Sequence, residues 1–159
     1  MKKIFFALPA LLFLSLASLS AQTAAELERV LALPAVTYGD AARFVLGAAG
    51  LGADDSPEGA YRFAADNNWL PKKAAAEENA SLGALSFLIT RAFNIKGGLM
   101  YSLFPGPRYG YRELAYRKIV RGRAYSSMPV SGERLLRILS RTLDYTGDAV
   151  PGEKRAENE

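Results

Sequence analysis

The chain contains no cysteine and no histidine. Without cysteine there is no disulfide to staple the fold and no thiol nucleophile. A bacterial lipoprotein's lipid-bearing cysteine is missing for the same reason. Without histidine the commonest general base near neutral pH and the commonest metal ligand are absent. Ser-His-Asp triads and cysteine nucleophiles are excluded outright. Paired acids offer little in their place. Asp54-Asp55 and Glu77-Glu78 fall in turn-like stretches, where neighbouring carboxylates usually face solvent and form caps. Glycan cleavage needs two carboxylates held across one cleft. Glu113 and Glu133 lie in well-formed elements, but nothing in the sequence brings them together. The residues therefore point to no enzyme, no metal site and no cofactor.

What is present is apolar. Half of the 159 residues are hydrophobic, enough for one domain with a real core. Met1-Lys2-Lys3 is a short basic start, Ile4 to Leu19 carries no charge, and Ser20-Ala21 follows with small residues. That is the anatomy of a secretory signal peptide. The alternative is an uncleaved anchor, for which a run of about sixteen residues interrupted by Pro9 is short. The expected organisation is a signal peptide over 1–21, a single all-helical repeat domain over 22–146, and a disordered polar tail over 147–159. The protein is then exported, to the periplasm or the cell surface, with no stable membrane span after cleavage.

Helical spacing recurs along the body. Thr23-Ala24-Ala25-Glu26 fits a capping box ahead of Leu27, Val30 and Leu31, and Pro34 stops that helix. Thr37 opens a second, with Ala41, Phe44 and Val45 on one face. Ser56-Pro57 opens a third, carrying Tyr61, Ala64, Ala65 and Trp69. Ser81 caps a fourth, with Leu85, Leu88, Ile89 and Phe93 inward, and Gly97-Gly98 is expected to end it. Leu99 to Phe104 is apolar but short, and reads as a brief strand or a loop tucked into the core. A fifth helix from Pro107 places Tyr111, Leu114, Ala115 and Ile119 on one face and is expected to end at Arg121-Gly122. Ser131 caps the last, with Leu135, Ile138, Leu139 and Leu143 behind it. The fold class is all-α, with about five or six helices.

The helices repeat. Pro57, Tyr61, Arg62 and Ala65 meet Pro107, Tyr111, Arg112 and Ala115 fifty residues on, and Ser81, Leu85 and Arg91 meet Ser131, Leu135 and Arg141. Thr37, Ala41, Phe44 and Val45 are a third copy of the second element. The chain is a leading half-repeat followed by two helix-loop-helix repeats.

Ile119-Val120-Arg121-Gly122, then Pro129, then Val130-Ser131-Gly132-Glu133 resembles an S-layer homology motif. Leu70-Pro71 with Ala80-Ser81, and Thr37 with Asp40, form looser copies, so the resemblance covers about Thr37 to Leu143. It implies a threefold helical prism that binds cell-envelope polysaccharide.

Charge adds a site. Two of the charges behind the net +4, Lys2 and Lys3, leave with 1–21, so a nucleic-acid partner has little support. Between Arg108 and Arg141 nine Arg or Lys face only Glu113 and Glu133, with tyrosines interleaved. Arginine forks and aromatic faces suit carboxylates, phosphates and sugars; a plain solvated helix face is the other reading. Arg112, Arg117, Arg121 and Arg134 are expected to form one patch beside Tyr109 or Tyr116. The reading is an exported, non-catalytic envelope module for peptidoglycan or another anionic polysaccharide. The alternative is an exported adaptor that docks an envelope protein through an apolar surface such as Leu99 to Phe104.

Overall fold

A computed structural model describes residues 24–51 and 56–148. The expected signal peptide and the tail from 149 onward lie outside those residues. Among the described residues there are seven α-helices and no sheet. They are α1 (24–31), α2 (Tyr38–Ala48), α3 (Pro57–Asp66), α4 (Leu82–Ala92), α5 (Leu99–Leu103), α6 (Pro107–Tyr116) and α7 (Gly132–Asp148). α7 runs two residues into the stretch assigned to the tail.

Three helices begin in the same way. Thr37, Ser81 and Ser131 stand at the heads of α2, α4 and α7, and each hydroxyl accepts the backbone N–H of the residue three further on. This satisfies one of the orphan donors that every helix start leaves open. The residues just before the caps are Val36, Ala80 and Val130, all fully buried. Their backbones close a triangle. Val36 N–H donates to Val130 C=O at 2.8 Å, Ala80 N–H to Val36 C=O at 2.8 Å, and Val130 N–H to Ala80 C=O at 3.2 Å. The three inner helices thus start from one ring.

Outer helices pair with the inner ones. α3 lies against α2, and α6 against α4. The fifty-residue offset recurs bond for bond. Asn68 and Lys118 both turn left-handed, at φ 57° and 59°. Trp69 and Ile119 each donate back to Ala64 and Leu114 C=O at 2.9 Å. The Tyr61 hydroxyl donates to Ala74 C=O at 2.5 Å and the Tyr111 hydroxyl to Ala124 C=O at 2.6 Å. Each following loop then lies over the head of its inner helix. Gly39 N–H donates to Ala76 C=O and Gly83 N–H to Ser126 C=O. At α7 the covering segment comes from the other end of the chain, where Gly132 N–H donates to Leu33 C=O at 3.0 Å. A Cβ on Gly132 would run into the Val30 carbonyl, so only glycine fits there.

The core follows the expected faces except at Leu27, Leu31 and Leu143, which are exposed. Leu85, Leu88, Ile89, Leu114, Ile119, Leu135, Ile138 and Leu139 are buried. Trp69 and Phe93 pack against the core but are only partly buried. Three expectations are corrected. The helix from Pro107 ends at Tyr116, not at Arg121-Gly122. Lys118 supplies the left-handed residue, and that swings Ile119 and Val120 inward. Gly97-Gly98 does not end α4 either, which stops at Ala92 with Asn94 at φ 49°. Leu99 to Phe104 is neither strand nor tucked loop. It forms the one-turn α5, and its leucines face solvent.

Candidate functional site

The early stop of α6 builds a cleft. Once Ile119 and Val120 have entered the core, the chain surfaces at Arg121-Gly122 beside the head of α7. Arg121, Gly122, Ser131, Glu133, Arg134, Arg137, Ile138 and Arg141 line the resulting space, about 390 Å³. The three α7 arginines come at spacings of three and four, one stripe of the helix.

Local bonds hold the guanidinium arms in place. Arg121 Nε donates to Lys118 C=O at 2.8 Å. Arg134 donates to the Met128 sulfur and, at 3.3 Å, to Arg123 C=O. Arg141 donates to Ile119 C=O at 3.3 Å. Each guanidinium has five N–H donors, so every one keeps donors for a guest. Glu133 is the only carboxylate in the lining, and it pairs with Arg137 one turn on. Four cations against one paired acid leave the cleft positive. It can grip carboxylates or phosphates with forked hydrogen bonds. It holds no nucleophile apart from Ser131, whose hydroxyl caps the helix.

The expected patch is divided by this geometry. Arg121 and Arg134 share the cleft. Arg112, Tyr109 and Tyr116 line a different groove of about 310 Å³ with Leu99, Met100 and Glu113. Tyr116 is 85% exposed, and Tyr109 stacks on Phe104 with ring centroids 6.5 Å apart. Arg117 does not stand with them. It pairs with Glu113 at 2.8 Å, donates to Lys96 C=O at 2.6 Å and to the Tyr145 hydroxyl, and lies over the Tyr145 ring. Its side chain is 22% exposed, and it ties α6 to α7. Arg137 and Arg141 were missing from the expected site. Their spacing with Arg134 was the signal that could have found them.

A second large groove, about 530 Å³, runs between α1, α2 and α7 past Leu27, Phe44, Leu136 and Leu143. Arg43 pairs with Glu26 across it, and Arg29 with Asp40 nearby at 3.0 Å. Among the described residues no cluster of acids could hold a metal ion, and no helix is long and apolar enough to cross a membrane. No family model matches the chain, and neither a curated protein nor a solved structure matches it.

Proposed function

We propose that this chain is an exported, non-catalytic binding module of the cell envelope. The α7 cleft is where it holds peptidoglycan or another anionic envelope polysaccharide. The observation that carries the reading is the convergence of Arg121, Arg134, Arg137 and Arg141 on one concave site with a single, already paired carboxylate. Side chains held by backbone carbonyls are pre-oriented, and less freedom is lost when a ligand arrives. The kinship proposed with S-layer homology repeats draws support from the three hydroxyl-capped helices that start from one ring. Three such motifs form a threefold helical prism in that family.

The test is sedimentation of the folded chain with purified cell wall at low and moderate salt. Wild type is expected to pellet at low salt and to release as salt screens the charges. Arg121→Glu with Arg137→Glu, both exposed, is expected to abolish pelleting, while Arg62→Glu on α3 leaves it unchanged. A wild type that stays in solution at low salt, or a reversed variant that pellets as before, overturns the reading. The adaptor reading rests on a different observation, the exposed apolar side chains of α5.

A further inference from the structure

The two outer-inner pairs differ by an insertion. The interval from Ser81 to Pro107 is longer than that from Thr37 to Pro57, and the extra length carries α5. Tyr101 fixes it from beneath. Thr90 Oγ1 donates to Phe87 C=O at 2.7 Å, so the Tyr101 hydroxyl donates to Thr90 at 2.8 Å. The Tyr101 ring lies against Phe87, and a Cβ on Gly97 would collide with it. Gly98 N–H donates to Glu113 Oε2 at 3.0 Å. The turn is therefore held firmly, yet Leu99 is 73% exposed, Met100 55%, Leu103 59% and Phe104 61%. Four large apolar side chains on one anchored turn have a solvation cost that the fold itself does not require.

Their surroundings are positive. From Asn79 through Arg112 the chain has no acid, but it has Arg91, Lys96, Arg108 and Arg112. Arg112 lines one flank of α5 with Tyr109 and Tyr116, and Arg91 and Lys96 line the other. Glu113, the residue that follows this stretch, is already held by Arg117 and Gly98.

We propose that the α5 tip inserts into the headgroup region of an anionic phospholipid bilayer. The apolar tip meets the acyl boundary, the cations meet the phosphates, and the tyrosines lie at headgroup depth. A stable protein partner would ask for roughly 800 Å² from each side, and one turn presents little of that. Interfacial insertion asks only that a few side chains sink about 5–10 Å. This surface is distinct from the arginine cleft, so either can fail without the other.

The absence of cysteine makes the test direct. Phe104→Cys in the full chain takes one polarity-sensitive fluorophore. That label reports only its own surroundings, so capture of vesicles by the apolar residues 4–19 does not register. With vesicles of phosphatidylglycerol and phosphatidylcholine the emission is expected to shift to the blue and brighten. Vesicles of phosphatidylcholine alone should give a much weaker response. Adding Leu99→Ser and Leu103→Ser is expected to raise the lipid needed for half the response at least tenfold, with helical circular dichroism unchanged. An aqueous emission on anionic vesicles, an equal response on both vesicle types, or a serine variant that responds as before overturns the proposal. A label that answers to an envelope protein but not to vesicles overturns it too, and assigns the surface to a protein partner.

Discussion

α4 and α7 begin alike and lead into different surroundings. Both follow a ring residue and a serine cap. Both bury the same positions, Leu85 and Leu88 in one, Leu135 and Ile138 in the other. Their outer stripes part company. Gly83, Ala84 and Phe87 are buried in the pair with α6, and a Cβ on Gly110 would come within 2.9 Å of the Phe87 backbone. The counterparts on α7 are Glu133, Arg134 and Arg137, which line an open cleft. The repeat persists where backbone groups must be satisfied, and departs where an outer helix no longer covers the face. The candidate site lies at that departure.

The comparison can be tested by mutation. The largest effect is expected in the shared core. Leu85→Ala and Leu135→Ala should each cost roughly 2–5 kcal/mol, as should Leu139→Ala, because each leaves a cavity that cannot fully collapse. Urea unfolding checks this, and a Leu135 variant as stable as its parent would break the equivalence of α4 and α7. Gly110→Ala comes next. Helix propensity favours alanine by about 1 kcal/mol, but the close approach to Phe87 is to backbone, and crowding of that kind costs about 1–3 kcal/mol. A net loss of thermal stability is expected, and a gain would show that α6 can move off α4. Tyr61→Phe and Tyr111→Phe should each cost about 1 kcal/mol by removing one hydrogen bond to a loop carbonyl. Equal losses sharpen the repeat, and unequal ones break it. Glu58→Gln is the smallest. Its pair with Arg62 is largely exposed, and such pairs are worth a few tenths of a kcal/mol.

Much of the fold was legible because it is local. Caps, prolines at helix starts and apolar spacing lie within a few residues of one another, and they placed six of the seven helices. The ring could not be read that way. Val36, Ala80 and Val130 look like ordinary apolar residues, and their bonds join segments far apart in the chain. α5 was missed because one turn is too short to show a period. The candidate site was half legible. Arg117 and Arg121 were grouped as neighbours four apart on one helix. Lys118 breaks that helix, so Arg117 turns to Glu113 and Tyr145 while Arg121 turns to α7. Left-handed geometry at a lysine carries no sequence signal, since glycine and asparagine are the usual residues there.

The ring has a consequence for the order in which the chain becomes native. Val36 N–H has its acceptor on Val130, and Leu33 receives its donor from Gly132. α2 can be made, and paired with α3, long before those partners exist. Until the head of α7 arrives, however, Val36 N–H and Ala80 C=O lack their partners on Val130, and the apolar faces that α7 covers stay open to water. An N-terminal fragment that stops short of α7 is therefore expected to lack the native ring, whose closure joins segments far apart in the chain. A chain cut before Ser131 would be a substrate for proteases, not a smaller version of the same protein.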